Sequence, residues 1–600
     1  MNSIMTNKVV FHKSYDDIDK NYDIICLKTD SNYFKFNSSI FDLPLLNKNV
    51  RSVLYSSNNI FLLIKKASDN LSIVMDGLRE VKEADKISGT IVSSGQLKDH
   101  QLLQLLLNSI WNFNSDELKS NNVTGHLYCF RDKWCYRGLR ELKDDIIQVS
   151  SVEIIIDPDM HINLPVRTFS SEKIKGFIRF GKTKYEDHPK YILNNNQTMS
   201  RKLYDDQGPE YIIRNPMKKR ELPFLDLSSY RDFNNSKMGV LYQTIEKFNS
   251  VFKNIASIEL HRIPLSSTIE SRRPEINRKE SSRQLMFLNR GLNIVDLAND
   301  DESENMIQGL KDTINELLSD DDSLFSLNVS ESKSAVQDKL NIIVLHEKDY
   351  YDITDPYSDR FEGCAVQHLT IEKFKKNSKH IVQTTINELL VKDDILNNKM
   401  TLFNWKSLNK TGDMLFITKS ILDEETVYNY MVVHQDGSFD LFARKNFDKI
   451  DQYTKYQDYF MYDEHIECLA VDDKENIVSI WDTGWITVPE IDEIAKHLKE
   501  GNTKLKGKQK RKELLEAVID INTIEYEGKI YYYVGVIGDG MKSKIAHASH
   551  IRKYEMLQGT TFDIISLVKT LDTQFVKNGQ FTVLPFPFKY LNEYINTQQN

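Results

Sequence analysis

Residues 340–345 read LNIIVL and residues 362–370 read EGCAVQHLT, and these two stretches decide how the chain is organised. The first is a continuous apolar run of the length of a buried strand, and the second contains a strand from Cys364 to Leu369. Two helices follow, the second through Ile386 to Ile395. A strand, loop, strand and helix in this order predict a small α/β domain with ligands at the carboxyl ends of its strands.

The residues after this domain predict a β-meander. Its strands are expected at 415–422, 427–434 and 439–444, and Asp436-Gly437 between the last two is a strong hairpin signal. Further strands are predicted at 467–480 and 530–537, with helices at 491–499, 512–518 and 563–571. Three antiparallel strands followed by alternating helices and strands are the order of a ribonuclease-H-like fold.

The residues before the domain are of two kinds. Residues 1–190 alternate short apolar runs with polar turns and contain one helical leucine pattern at 97–113, which predicts an α+β lobe. Residues 191–330 are polar and carry clustered charges, so we interpret them as a linker region with helices near 238–252 and 306–318, and with a possible reduced unit of its own. The predicted class is therefore α/β and α+β multidomain, with boundaries at 1–190, 191–330, 331–400 and 401–600.

Composition excludes several classes of protein. The chain has 600 residues, about four times the ~150-residue prior for one domain, so several cores are expected. Lys and Arg number 78 against 87 Asp and Glu, which argues against indiscriminate coating of nucleic acid but leaves room for a local basic groove. Neither GxxxxGK[ST] nor GxGxxG occurs, and the five cysteines include no CxxC pair. No apolar run is long enough to span a bilayer, and we expect a cytoplasmic protein with no membrane partner.

Two stretches together resemble an Argonaute protein. Residues 362–368, followed by the helix IVQTTINELLVK at 381–392, are similar to the strand and helix of the Argonaute MID domain, which hold the guide 5′ end. Residues 562–594, with TVLPFPFKYL at 582–591, resemble the closing helix and terminal segment of the PIWI domain. The resemblance covers roughly the last 260 residues. It implies a bilobed Argonaute-like architecture with a MID-like domain at 331–400, a PIWI domain at 401–600, and a reduced PAZ-like unit as one reading of 191–330.

The resemblance and the local chemistry predict a site for the guide 5′ end. A nucleic-acid terminus needs cations, amide donors and a ring on which the first base stacks. The candidate residues are Tyr351, Arg360, Gln367, His368 and Lys392. From these five residues alone, the end of a surface strand and a solvent-exposed helix face are the better interpretation. When the resemblance of the closing segment at 562–594 is added, a site for the guide 5′ end becomes the better interpretation.

Glu388 departs from the family pattern. It lies one helical turn before Lys392, where the family usually offers another lysine, and a carboxylate there would repel a phosphate. Three alternatives remain open: the site accepts a 5′-hydroxyl, it binds a phosphate bridged by a metal ion, or it recruits a cation from elsewhere in the chain. In the second alternative, a Mg²⁺ ion at the guide 5′ phosphate would be the cofactor.

No nuclease site is predicted. Cleavage in this fold needs carboxylates that converge on two divalent cations. The first strand of the meander, MLFITKSIL at 414–422, contains no Asp or Glu, and Lys419 would place a cation where a metal belongs. The later acids, Asp436, Asp472, Asp473 and Asp482, are interpreted as turn residues. We expect no catalytic residue and no metal ligand.

A protein that binds but does not cut still needs cations along the nucleic-acid backbone. Residues 504–512 carry six Lys or Arg side chains, although such runs are usually solvated faces. The candidate backbone contacts are Lys506, Lys508, Lys510, Arg511, His550 and Arg552.

The missing carboxylates predict a nuclease-inactive protein, and the resemblance implies that such a protein takes part in prokaryotic defence against plasmids and phages. Its partners would be a short DNA or RNA guide, a complementary target that is expected to be DNA, and a separate helicase or nuclease effector. Two alternatives remain: an active metal-dependent nuclease whose carboxylates do not follow the expected alignment, and an adaptor protein that binds no nucleic acid.

Overall fold

The computed structural model describes most of the chain in side-chain detail and divides it into two compact units. The first unit comprises residues 1–265, 484–516 and 540–548, and the second comprises 266–483, 517–539 and 549–600. The described residues are all except 1–2, 30–49, 57–58, 80–82, 111–126, 136–146, 173–184, 194–197, 203–208, 214–221, 273–290, 320–328, 348–349, 352–355, 357–360, 375–377, 423, 447–449, 505–518, 527–528, 537–543, 546–547, 549, 560–566, 568–583 and 600.

The described strands are, in chain order, β1 Ser3–Lys13, β2 Tyr22–Thr29, β3 Val50–Ser56, β4 Asn59–Lys65, β5 Ile87–Val92, β6 Leu127–Cys135, β7 Ile147–Ile156, β8 Ile162–Asn163, β9 Val166–Ser171, β10 Tyr191–Leu193, β11 Thr198–Arg201, β12 Tyr211–Ile213, β13 Leu225–Asp226, β14 Ala256–Arg272, β15 Leu292–Asp296, β16 Val329–Ser332, β17 Leu340–Leu345, β18 Ala365–Thr370, β19 Met414–Leu422, β20 Glu425–Val433, β21 Phe439–Lys445, β22 Ile466–Val471, β23 Ile477–Ile486, β24 Ile519–Tyr526, β25 Lys529–Val536, β26 Lys544–Ile545 and β27 His550–Gln558. The described α-helices are α1 Tyr15–Asn21, α2 Asn70–Leu78, α3 Asp99–Leu107, α4 Tyr230–Asn234, α5 Lys237–Val251, α6 Asp301–Ser319, α7 Ile371–Phe374, α8 Ser378–Leu396, α9 Gln457–Tyr462, α10 Ile491–Lys504 and α11 Pro587–Gln599.

The first unit is an α+β assembly, as the sequence predicts for its N-terminal part. One sheet has the order β3-β4-β2-β5, and another has the order β6-β11-β10-β12-β9-β7-β8. The leucines of α3 are buried around the whole helix, so α3 is enclosed by neighbouring elements. Gln104 fixes it to β7, because its amide oxygen accepts from the Ile156 amide at 2.8 Å and its nitrogen donates to the Ile154 carbonyl at 3.1 Å.

The linker predicted at 191–330 differs from the structure, because this region contributes to ordered elements of both units. β10, β11 and β12 join the larger sheet of the first unit, and the predicted helix near 238–252 is observed as α5. α5 packs closely on α4: a Cβ on Gly239 would lie 2.2 Å from the Phe233 carbonyl oxygen, so only glycine fits there. Short polar strands are held by backbone pairing, which composition does not reveal.

The second unit contains a parallel sheet with the order β16-β15-β17-β18. The predicted strand 340–345 is observed as β17, with every residue buried. One face of the sheet packs against α6 and α8 through Leu310, Ile314, Leu389 and other apolar side chains. β15 and α6 precede residue 331, so the observed α/β domain begins about forty residues earlier than the predicted boundary, and α6 is the helix predicted near 306–318.

The second unit also contains a sheet with the order β21-β20-β19-β22-β23-β27. The predicted meander is observed in its antiparallel pairing β19-β20-β21, and β22 is likewise antiparallel to β19 and to β23. α11 and the residues before it close one face, where Phe586, Phe588 and Tyr590 pack on Phe416 and Phe439. The multidomain mixture of α/β and α+β units is therefore observed.

Several sequence predictions fall outside the described residues, namely the helix at 512–518 and nearly all of the helix at 563–571. Among the described helices, none has the length and apolar character that a membrane crossing requires.

Candidate functional site

The structure brings Gln367 and Lys392 together. Gln367 lies in β18 opposite Ile342 of β17, and Lys392 lies near the end of α8, which packs on the same strands. The ammonium Nζ of Lys392 donates to Oε1 of Gln367 at 2.7 Å and to the carbonyl oxygen of Val366 at 2.8 Å. These two candidates for the guide 5′ end therefore share one place in the fold, although they are 25 positions apart in sequence.

A carboxylate that sequence reasoning missed lies at the same place. Oε1 of Glu593, in α11, is 3.6 Å from Nζ of Lys392, and the two side chains are 21% and 23% exposed. We call the group formed by Gln367, Lys392, Glu593 and the Val366 carbonyl the Lys392 site. Glu593 lies one helical turn after Tyr590 in the closing segment. This spacing is the one sequence feature that could have suggested that Glu593 is near the candidate site.

Asp394 fixes the helix that carries the Lys392 site. Its buried carboxylate accepts hydrogen bonds from the Thr401 amide at 2.8 Å, the Thr401 hydroxyl at 2.5 Å and the Tyr590 hydroxyl at 2.6 Å. Burial raises the pKa of Asp394 to about 6, against the opposing effect of these donors. The hydrogen bond from Tyr590 joins α11 to α8 two residues beyond Lys392.

Tyr351 does not lie beside Gln367 in the sheet. Its hydroxyl accepts from the backbone amide of His346 at 3.0 Å, at the carboxyl end of β17 and four positions beyond Ile342, which pairs with Gln367. The ring packs against Val295, Ile343 and Leu345 on the sheet face away from α8. The neighbouring Tyr350 is 60% exposed and stacks on the His346 ring at 3.7 Å, so it is the more accessible of the two rings.

His346 is buried at this strand end and lies between two partly exposed carboxylates. Its Nδ1 lies 2.7 Å from Oε1 of Glu372, and its Nε2 lies 2.7 Å from Oδ2 of Asp300. Burial acts to lower the pKa of His346, but the two carboxylates outweigh burial and raise it above its ordinary value. The cluster ties the starts of α6 and α7 to β17, which is a structural role.

His368 and Gln367 are successive residues of β18, so their side chains point to opposite faces of the sheet. Since Gln367 faces Lys392, His368 lies on the face with Val366 and does not join the Lys392 site. Arg360 and the basic candidates Lys506, Lys508, Lys510 and Arg511 lie outside the described residues. His550 is exposed at the start of β27.

Arg552 is engaged with a carboxylate in the six-stranded sheet. Its Nε lies 2.6 Å from Oε2 of Glu467, and its second nitrogen lies 2.9 Å from Oε1 of the same residue. Burial acts to lower the pKa of Arg552, but Glu467 and the nearby charge of Asp482 raise it. Lys419 is engaged elsewhere, since its Nζ donates to the Glu464 carbonyl at 3.1 Å and lies over the Phe460 ring. The cation beside Glu467 and Asp482 is therefore Arg552, a residue that the sequence analysis predicts to contact the nucleic-acid backbone.

Two of the acids that were interpreted as turn residues do cap turns. Oδ1 of Asp436 accepts from the Ser438 amide at 2.9 Å, and Oδ1 of Asp472 accepts from the Lys474 and Asn476 amides, each at 2.9 Å. Asp473 accepts from the Thr411 hydroxyl at 3.2 Å. Asp436 and Asp472 therefore accept local hydrogen bonds, whereas the partner of Asp473 is 62 positions away.

Among the described residues, one group of three acidic or histidine side chains has the spacing to share an ion, namely Asp157, Asp159 and His161, whose ligand atoms lie within 4.8 Å of one another. Asp157 accepts from the amides of Asp159 and His161 at 3.0 and 2.8 Å, which is the pattern of a capped turn. The described parts of the Lys392 site and of the six-stranded sheet hold no such group.

Comparison with known proteins finds no matching family model and no significant match among curated proteins. Among solved structures, the chain is similar to Marinitoga piezophila Argonaute in complex with 5′ OH guide RNA and target DNA, with a TM-score of 0.36, 11% identity and 98% of each chain covered. It is similar to A. aeolicus Argonaute, with a TM-score of 0.34, 8% identity, and 98% of this chain and 97% of that chain covered. A third likeness is to Drosophila Piwi, with a TM-score of 0.31, 9% identity, and 98% and 96% covered.

Proposed function

We propose that this chain is an Argonaute-like protein that holds the 5′ end of a short guide strand and pairs the guide with a complementary target. The observation that carries the proposal is the 2.7 Å contact between Nζ of Lys392 and Oε1 of Gln367. An ammonium and an amide on the strand and helix of one α/β domain are the groups that a nucleic-acid terminus needs.

The element order adds support. The parallel sheet with Gln367 is followed by the meander β19-β20-β21, and the closing segment returns through α11 to reach Lys392 by way of Glu593. The sequence resemblance to MID and PIWI segments therefore falls on residues that meet in space within one unit.

The proposal includes the absence of cleavage. Arg552 forms two hydrogen bonds to Glu467 and lies near Asp482, so a protein cation neutralises the carboxylates that could otherwise attract a divalent ion. β19 carries no acid of its own. A guide-loaded chain of this kind would mark its target for a separate effector, a helicase or nuclease, in prokaryotic defence against plasmids or phages.

Purification of the chain from cells tests the proposal. We expect absorbance at 260 nm in excess of that of the protein, and sequencing of the extracted strands should return short oligonucleotides with a common length. RNase and DNase treatment before sequencing assigns the guide as RNA or DNA. Recovery of protein without nucleic acid, together with no binding of added oligonucleotides, would favour the adaptor alternative.

A further inference from the structure

We propose that the Lys392 site selects a guide that ends in a 5′-hydroxyl over one that ends in a 5′-phosphate. This inference rests on the proposed function and names the chemical class of strand that the site accepts. It is carried by the position of Glu593 against Lys392.

Lys392 already uses two of its hydrogen-bond donors within the protein and has an ion-pair partner. A lysine ammonium has three N–H donors and no acceptor. Here Nζ lies 2.7 Å from Oε1 of Gln367, 2.8 Å from the Val366 carbonyl oxygen and 3.6 Å from Oε1 of Glu593. Two of the three donors are therefore used within the protein, and a phosphate that approaches the ammonium meets the carboxylate of Glu593 beside it.

The charge of the site opposes a phosphate. Glu593 balances the charge of Lys392, so the pair presents no net positive charge, whereas a terminal phosphate monoester carries about −1.5 to −2 at pH 7. Both side chains are mostly buried, at 23% and 21% exposure, where repulsion between like charges is stronger than in bulk water. Glu388, one turn before Lys392 on the same helix, adds a further negative charge to this stretch of α8.

A hydroxyl has the complementary chemistry. It is uncharged, donates one hydrogen bond and accepts up to two. It donates to the carboxylate of Glu593 and accepts from the amide nitrogen of Gln367, whose oxygen already faces Lys392. No buried charge is left without its partner when such a strand binds.

The experiment compares two single-stranded oligonucleotides of one sequence, labelled at the 3′ end, one with a 5′-hydroxyl and one with a 5′-phosphate. Binding to the full chain, freed of nucleic acid, is measured in EDTA and in Mg²⁺. We expect the hydroxyl strand to bind about fivefold or more tightly in both buffers. The Glu593→Gln variant should lose most of this preference through tighter binding of the phosphate strand, whereas Glu425→Gln, which removes one charge from the exposed Glu425–Lys445 pair, should keep it.

The outcomes separate the inference from the proposed function. Failure of both strands to bind the wild-type chain would overturn the proposed function. Equal affinities, or tighter binding of the phosphate strand, would overturn the inference alone. A phosphate preference that appears only in Mg²⁺ would also overturn it, in favour of a metal-bridged phosphate. Should Glu593→Gln fail to fold, the wild-type comparison decides by itself.

Discussion

The hydroxyl of Tyr590 donates a 2.6 Å hydrogen bond to Oδ2 of Asp394, and both groups are buried. Tyr590 belongs to the C-terminal helix α11, and Asp394 belongs to α8, two residues after Lys392. The residues that close the chain therefore set the position of the helix that carries the candidate binding lysine. A binding site in one domain then depends on packing supplied by another part of the same unit.

Replacing Tyr590 by Phe should lower the free energy of unfolding by about 1–2 kcal/mol, because the ring still fits and one donor to a buried carboxylate is removed. Urea denaturation with an unchanged m-value measures this change. Tyr462→Phe, at a side chain that is 90% exposed, is the matched control and should change little. Equal stabilities of the two variants would show that the Tyr590 hydrogen bond contributes nothing.

The pKa of Asp394 predicts a pH dependence of stability. Burial raises the pKa from 3.8 to about 6, so the folded chain binds more protons than the unfolded chain between these values. Stability from this group is therefore greatest below pH 3.8 and falls as the pH rises through about 6. An Asp394→Asn variant cannot titrate there and should lack this fall, which is read as the difference in midpoint between variant and wild type from about pH 4 to about pH 7. A constant difference would contradict the assignment.

Substituting both Gln367 and Lys392 by Ala should reduce oligonucleotide affinity by about tenfold or more, because the amide that faces the guide terminus is removed together with the ammonium that holds it and balances Glu593. Fluorescence anisotropy with a short single strand measures the effect. Lys399→Ala is the control, since Lys399 is a lysine of the same unit that pairs with Asp436 on the surface. Unchanged affinity in the double variant would remove the basis of the proposed function.

The chain should not cut a target that is paired with its guide in Mg²⁺ or Mn²⁺. Cutting that is abolished by Asp472→Ala or Asp473→Ala would contradict this expectation. Arg552→Gln should destabilise the chain by about 1–2 kcal/mol, because Glu467, which is 36% exposed and partly screened by solvent, loses two hydrogen bonds from a charged donor. The double variant Arg552→Gln/Glu467→Gln should recover part of this stability, and a double-mutant cycle measures the coupling.

Binding should weaken steeply with salt. If Lys506, Lys508, Lys510 and Arg511 contact the backbone, then replacing all four by Gln should reduce the slope of log affinity against log salt by about 0.7 for each phosphate of a single strand that is no longer neutralised. An unchanged slope would show that these four side chains are solvated and do not contact the nucleic-acid backbone. Titrations at several NaCl concentrations, with Lys399→Ala as the control, provide the measurement.

Much of the fold followed from sequence periodicity. The buried run at 340–345 and the meander after Met414 are observed as predicted, because the apolar pattern within each strand is sufficient to indicate that the strand is buried. Within residues 191–330 two helices were predicted, whereas the short strands were not, because they are held by backbone pairing with distant partners. β15, which pairs with β17, lies before the predicted boundary at 331.

The candidate site was predicted in part. The predicted strand and the helix after it suggested Gln367 and Lys392, which the structure brings together. His368 was predicted in the same site, although the alternation of side chains along a strand is sufficient to place it on the face opposite Gln367. Glu593 was missed because no local pattern links it to Lys392, and the contact of Arg552 with Glu467 was not foreseen because the two residues are 85 positions apart.

The sequence by itself determined which segments form strands and helices and which polar residue types they carry, since these properties depend on neighbours within a few residues. Only the tertiary structure decided the charge state of the site, because Coulomb and hydrogen-bond energies depend on distances between atoms rather than on positions along the chain. The sequence placed Glu388 one helical turn before Lys392, and only folding brought the second carboxylate, Glu593, to within 3.6 Å of its ammonium.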